Sequence, residues 1–231
     1  MKLHFLGTGA ADFNIHAHTT EPDFRRNASL LIDGCLLVDP GACLFEFETS
    51  FGYENLYGNV KDIVNTHRHS DHFNPDTLAK LTEAGAVFHP TAAGDIVETD
   101  KHIIRAFAAN HCTAEVPVHF VIESKADGKR FFYGCDGAWL PYETYRALMK
   151  LGHLDLMIFD CTIGDIRGDY RIFEHNNAAM VAEMRASFTN ICPRFMVSHL
   201  ARTLHPGHEE ASKILAGFGL ETAYDNLITE I

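Results

Sequence analysis

Polar and apolar residues alternate along Lys2-Leu3-His4-Phe5-Leu6, the period-two pattern of a strand, which runs out into Gly7-Thr8-Gly9. Apolar runs at 28–33 and 35–39 flank Gly34 and predict a hairpin. Further runs at 60–65, 86–89 and 102–109 predict three more strands, and 116–123 and 130–135 a pair joined across Asp127-Gly128, a tight-turn signal. Two late runs, 154–159 and 195–197, complete the strands apart from a short one at the C-terminus.

Helices are expected between them. Asn74-Pro75 makes an N-cap followed by proline at the first helical position, with Leu78 and Leu81 on one side and Gly85 as the stop. Helical spacing recurs at 43–50, 92–98, 141–151 (Tyr142, Tyr145, Leu148), 176–191 (Met180, Val181, Met184, Phe188) and 211–218. Strands cluster early, then again later, with helices following each cluster. This predicts an α/β (α+β) chain built as a sandwich of two sheets with helices on both outer faces, one domain over residues 1–231.

Composition narrows the class. An apolar fraction of 46% supports a real core, and no apolar stretch reaches the roughly 20 residues needed to span a bilayer. The N-terminus leads straight into a strand, which points to a cytoplasmic protein with no membrane partner. A formal charge of −12 disfavours nucleic acid as a partner. The six cysteines are scattered, and the expectation is reduced thiols filling the core.

One stretch carries chemistry. Asn65-Thr-His-Arg-His-Ser-Asp-His-Phe73 places His67, His69, Asp71 and His72 directly after a predicted strand. Imidazole nitrogens and carboxylate oxygens suit zinc, manganese or iron, and four such donors exceed what one tetrahedral metal takes from a single loop. Three further polar residues, His111, Asp136 and His199, stand where other predicted strands end. Strand ends converging on one edge of a sandwich would bring them to the same place. Asp160, in Phe159-Asp160-Cys161, is placed to accept a hydrogen bond from the outer nitrogen of a ligand histidine.

The histidine-x-histidine-x-aspartate-histidine pattern resembles the signature of the metallo-β-lactamase superfamily. That resemblance implies the four-layer αββα sandwich and two divalent metal ions: zinc or manganese, with iron a third option. It implies one ion held by His67, His69 and His111, the other by Asp71, His72 and His199, and Asp136 spanning both. His175, in Glu174-His175-Asn176-Asn177, leads into a predicted helix much as a histidine does in phosphodiesterases of the superfamily, which implies a catalytic proton donor. The Gly7-Thr8-Gly9 opening resembles the transfer-RNA 3′-processing and cyclic-phosphodiesterase branches, with Gly9 a candidate substrate contact. The run from Gly134 to Pro141 resembles the phosphoribosyl cyclic phosphodiesterases.

One departure stands out. Those phosphodiesterases carry a cysteine cluster after the first strand that holds a structural zinc. Here residues 12–26 contain no cysteine, so that zinc is either absent or held by His16 and His18 in their place. The function these features imply is hydrolysis of a small phosphate ester, cyclic ones included, by a metal-bridging hydroxide, with Asp136 and His175 in catalytic roles and Arg25 or Arg26 steadying a second phosphate. A lactonase of the same fold is the alternative. A transfer-RNA nuclease fits less well for want of a basic arm, and a metal-binding sensor on a retired fold fits less well because it has no need of a full set of seven ligands. Oligomeric state stays open, a homodimer included.

Overall fold

The computed structural model describes residues 1–12 and 20–231, so His16 and His18, and with them the choice between an absent and a histidine-held extra metal, lie outside the described residues. In chain order the elements begin with β1 (Lys2–Gly7), β2 (Ser29–Ile32), β3 (Leu36–Val38), α1 (Leu44–Ser50), β4 (Asp62–Val64), α2 (Pro75–Glu83) and β5 (Val87–Phe88). Next come β6 (Ile96–Glu98), β7 (His102–Ala108), β8 (Val118–Ser124), β9 (Arg130–Gly134), α3 (Tyr142–Leu151) and β10 (Leu156–Asp160). The chain closes with α4 (Ala178–Phe188), β11 (Phe195–Ser198), α5 (His208–Gly217), β12 (Glu221–Thr222) and β13 (Ile228–Glu230).

The strands form two mixed sheets, one ordered β13-β1-β2-β3-β4-β5 and the other β12-β11-β10-β9-β8-β7-β6. Strand alternation decides the layering, because successive side chains point to opposite faces. Leu3, Phe5, Leu30, Ile32, Leu36, Val38 and Val64 of the first sheet pack against Phe120, Ile122, Phe131, Tyr133, Leu156 and Ile158 of the second. Their neighbours one residue on face outward. Leu31, Leu37 and Ile63 meet Leu44 and Phe47 of α1 and Leu81 of α2. Phe132, Met157, Phe159 and Val197 meet Leu148 of α3, Val181, Met184 and Phe188 of α4, and Leu215 of α5. The result is the αββα sandwich. Each fully buried Leu, Ile or Phe in these layers is worth about 1.5–3 kcal/mol of transfer free energy, so the core is held by many equivalent contributions.

Strand direction gathers the chemistry at one edge. β3 runs parallel to β4, and β9, β10 and β11 run parallel to one another. β7 is antiparallel to β8, which is antiparallel to β9, so β7 points the same way as β9. The C-terminal ends of β3, β4, β7, β9, β10 and β11 lead directly into Asp39, the 65–73 loop, His111, Asp136, Asp160 and His199. Loops beyond the carboxyl ends of parallel strands are where open α/β sheets place their sites.

The structure departs from the sequence-based expectations in three places. Residues 92–98 are a turn followed by β6. Gly94 sits at φ +98°, Asp95 caps the turn by accepting from Ala92 N (2.8 Å), and Ile96 pairs with Arg105 across the ladder. The last helix begins three residues earlier than the apolar spacing suggests, at His208 after Gly207. Five of the six cysteines are buried, but Cys112 is exposed in the loop after β7 and donates to Glu174 Oε1 (2.6 Å). None of the described helices is long and apolar enough to cross a membrane.

Candidate metal centre

The loop after β4 is a tight turn held at both ends. His72 N and Phe73 N both donate to His69 O (3.0 and 2.9 Å), which folds the histidines onto one side. Beyond it, the Asn74 side chain accepts from Thr77 N (2.8 Å) and caps α2, while Asn74 N donates to Pro40 O (2.9 Å). The loop is pinned between a strand end and a capped helix.

Onto this loop the structure brings the three remote residues. Donor atoms of His67, His69, His111 and Asp136 form one set, and those of Asp71, His72, Asp136 and His199 a second, each set lying within 4.8 Å. Asp136 belongs to both. Its Oδ2 lies 3.3 Å from His67 Nε2, 3.3 Å from His72 Nε2, 3.5 Å from His111 Nε2 and 3.6 Å from His199 Nε2. Within the sets, His69 Nδ1 is 3.1 Å from His111 Nε2, and Asp71 Oδ2 is 3.4 Å from His72 Nε2. Donors at about 2.0–2.1 Å from a tetrahedral ion are separated by about 3.3 Å, so this spacing fits two ions sharing one carboxylate. His67 Nε2 is buried without a hydrogen-bond partner, as a metal ligand's lone pair would be. The donor set fits the metals.

Backbone conformation aims these side chains. Asp39, Asp136 and His199 all adopt left-handed φ, at 61°, 60° and 57°. Such values are uncommon outside glycine, and three at one edge, each just after a strand, mark a built turn that swings the side chain inward. Gly137 beside Asp136, at φ +154°, lies against His119, whose Nε2 donates to Asp136 O (3.2 Å).

A second layer orients the imidazoles. His72 Nδ1 donates to Asp39 Oδ2 (2.9 Å), and Asp39 also accepts from Thr66 N (2.7 Å) and Asn65 Nδ2 (2.9 Å). A carboxylate accepts only, so the His72 proton sits on Nδ1 and Nε2 faces the ligand set. His69 Nε2 donates to Thr113 O (3.3 Å), which turns its Nδ1 inward, and His111 Nδ1 lies 3.1 Å from Glu174 Oε2. Asp160, expected to brace a ligand histidine, lies 3.1 Å from His199 Nδ1 and accepts from Thr162 N (2.9 Å) and Asn176 N (3.0 Å). Asp39, His119, Thr162 and Glu174 escaped the sequence reading. Asp39 had one legible signal, its place at a strand end in Asp39-Pro40-Gly41, but that tripeptide also spells an ordinary turn.

Electrostatics follow from burial. Desolvation pushes His67 down to about 4, leaving it neutral. Burial also opposes charge at His72, yet Asp71 and Asp39 outweigh it and hold that imidazole well above its usual range. Asp136 and Asp160 likewise lift His199 to about 9 against burial. Asp71 and Asp136 stay below the usual carboxylate range in spite of desolvation, held there by the neighbouring imidazoles. Without metal, protons on His72 and His199 supply the positive charge that the carboxylates demand.

The centre opens into a cleft of about 320 Å³ lined by His69, Asp71, His111, Asp136, His175 and His199 together with Ala10, Asp12, Thr113, Arg171, Glu174 and Thr203. His175 stands at the edge of the centre, its Nδ1 3.0 Å from both Asp136 Oδ1 and Asp160 Oδ2. With Nδ1 engaged, Nε2 is the nitrogen it can offer to the cleft. Asp160 and Asp136 raise it to about 11 against burial.

Three residues expected to contact substrate are placed elsewhere. Arg26 is fully buried, its guanidinium gripping Glu46 (Nη2 to Oε1, 2.8 Å) and Asp225 (Nη1 to Oδ2, 3.1 Å). Arg25 is buried and donates to Pro206 O (3.0 Å). Neither lines the cleft, which corrects the expectation of a phosphate clamp there. Their sequence neighbourhood is polar, but tertiary packing folds both inward onto acceptors. Gly9 is also not on the cleft wall. It is a backbone crossing, bridged to Asn27 on one side and Leu200 on the other, where an added Cβ would strike the Arg25 carbonyl. That crossing places Gly9 beside Leu200, the residue after His199.

Two sheets, four layers and paired histidine–aspartate sets at one edge define a class. The chain has the metallo-β-lactamase fold. The metallo-β-lactamase fold protein YhfI from Bacillus subtilis superposes with a TM-score of 0.72 at 13% identity, covering 99% of each chain. The short form of human tRNase Z matches with a TM-score of 0.68 at 18% identity, over 100% of this chain and 99% of the other. A diphosphatase from the PhnP family matches with a TM-score of 0.66 at 18% identity, over 100% of this chain and 97% of its own. At these identities the likeness is one of fold. No protein-family model and no curated protein sequence matches the chain.

Proposed function

We propose that this protein is a metal-dependent hydrolase using two divalent ions, and specifically a phosphodiesterase acting on a small phosphate ester. One observation carries the reading. A single carboxylate, Asp136, stands between two three-residue ligand sets on the wall of an open cleft, with His175 against its other oxygen. His67, His69 and His111 would hold one ion and Asp71, His72 and His199 the other. Bound there, such a pair supplies an acidified water and a Lewis acid for a phosphoryl oxygen. The nitrogen and oxygen donors accept zinc, manganese or iron.

The chain's own residues would then do three things. Asp136, fixed by its left-handed turn and by His119, keeps the two ligand sets in register. Asp39 would keep the His72 imidazole, and Asp160 the His199 imidazole, pointing the right way. His175, its Nδ1 anchored by Asp160 and Asp136, would present a proton from Nε2 to the departing alkoxide. Two proteins of like fold, a tRNase Z and a diphosphatase, support phosphate chemistry. The net charge of −12 favours a small substrate over a polynucleotide.

The test is turnover of bis(4-nitrophenyl) phosphate by zinc- or manganese-loaded protein beside turnover of a γ-lactone. Phosphodiester cleavage is expected. Lactone opening with no diester cleavage would sink the phosphodiesterase reading. Asp136→Ala should lose metal and activity together, and a variant that keeps both would refute its shared role.

A further inference from the structure

Helices α3 and α4 both cover the outer face of the second sheet, and a groove of about 510 Å³ lies between them. It shares no residue with the wall of the metal cleft. Residues three or four apart stand on one face of a helix, so Tyr142 and Tyr145 of α3 form one wall and Met184 and Phe188 of α4 the other. Trp139, just ahead of α3, completes an aromatic lining. Tyr145 joins the two walls, its ring centroid 6.2 Å from that of Tyr142 and 5.4 Å from that of Phe188.

Exposure and charge set this groove apart. Trp139 keeps 46% and Tyr142 69% of their surface open to solvent, although Met184 and Phe188 of the same groove are buried. A contiguous aromatic patch of this kind marks a binding surface more often than a scattered exposed residue does. Glu183 is the only charged residue on the groove wall. Ser187 Oγ reaches its backbone carbonyl (3.4 Å), but among the described residues no group pairs with its carboxylate. Tyr142 already receives a cation on its ring, since the Arg146 guanidinium lies 6.0 Å from the centroid while standing off the groove wall.

We propose that this groove is a binding site for a small organic ammonium ion whose nitrogen carries alkyl groups. A neutral apolar occupant would strip water from the Glu183 carboxylate and offer nothing in return, and an anion would be repelled. A bare ammonium group holds its own water tightly. An alkylated ammonium sheds water more easily and satisfies both the aromatic faces and the carboxylate. The groove volume of about 510 Å³ is in the range of small-molecule sites. The formal charge of −12 adds long-range attraction for a cation. The site lies off the metal cleft, so it stands whichever ester is hydrolysed.

Trp139 is the only tryptophan in the chain, so its fluorescence reports on the groove directly. The matched probes are choline and its neutral carbon isostere 3,3-dimethylbutan-1-ol, titrated into metal-loaded protein at constant ionic strength. Choline should change the Trp139 emission saturably. By NMR titration it should bind roughly ten-fold more tightly than the isostere, a factor equivalent to about 1.4 kcal/mol. Glu183→Gln and Tyr142→Leu both change exposed side chains, so the fold should be kept. Each should weaken choline about five-fold while leaving the isostere within about twofold.

No saturable response to choline, or equal binding of the isostere, would overturn the proposal. A choline response that both variants retain would do the same, because the cation would then sit elsewhere. Sedimentation equilibrium tests the competing occupant. The wild-type protein and Tyr142→Leu should show the same mass; a dimer that this substitution dissolves would give the groove to a second copy of the chain and remove the ammonium site.

Discussion

Replacing Asp39 by asparagine isolates the part of the centre that holds a ligand in place without touching the metal. Asp39 is fully buried, and its two oxygens accept from Thr66 N (2.7 Å), Asn65 Nδ2 (2.9 Å) and His72 Nδ1 (2.9 Å). An asparagine amide must direct its NH2 one way or the other. Toward His72 it meets an N–H, and toward Thr66 it meets a backbone N–H, so either orientation sets two donors face to face. A buried donor left unpaired costs about 1–3 kcal/mol. The cheaper escape is for His72 to move its proton to Nε2, where the ion must bind. Removing such an outer partner typically lowers metal affinity ten- to a hundred-fold, about 1.4–2.8 kcal/mol. Competition against a graded series of chelators should show the Asp71/His72/His199 site weakened by that factor in Asp39→Asn. The His67/His69/His111 site should change much less, because Asp39 bonds none of its imidazoles. Unchanged affinity at both sites would refute the tautomer argument, and equal loss at both would reassign Asp39 to general folding.

Further outcomes follow from the same geometry. His72 is held well above its ordinary range and His199 at about 9, so metal entry at neutral pH must expel protons. Apparent zinc affinity should rise with pH from 7 through about 9, and calorimetry in buffers of different ionisation enthalpy should register at least about one proton released per protein; no buffer dependence at pH 7 would contradict it. The same raised values act on the metal-free fold. Their stabilisation is complete below the unfolded value near 6.5 and is lost as pH climbs through about 9, so the apo-protein's Tm should fall between pH 7 and 10. His175→Ala should slow esters with alkyl leaving groups by about 10²–10⁴-fold while leaving 4-nitrophenolate release nearly intact, since that leaving group needs no proton. Equal slowing of both would remove His175 from proton donation. Arg26→Met should destabilise the fold by about 3–5 kcal/mol in urea denaturation, because Asp225 and Glu46 lose a buried partner. KM should not move, and a change confined to KM would return Arg26 to the substrate.

The amino-acid order alone determined the strands and most of the helices, because period-two alternation and capping signals such as Asn74-Pro75 are local. It also placed four candidate metal donors, His67, His69, Asp71 and His72, since one loop supplies them all. His111, Asp136, Asp160 and His199 were legible as polar residues at strand ends, a weaker signal that gained force from the family resemblance. What the tertiary structure decided is everything that depends on which ends meet. Parallel pairing of β9, β10 and β11 and of β3 with β4 brought Asp39 and Asp160 behind the imidazoles. Sheet packing drew Arg25 and Arg26 inward, where the phosphodiesterase expectation had set them beside substrate. It also put Arg171 on the cleft wall with its guanidinium over the Tyr170 ring. A hydrogen bond between residues 33 apart, such as His72 to Asp39, leaves no trace in either local pattern. The chemistry of the ligands is local, and the orientation that makes them a centre is not.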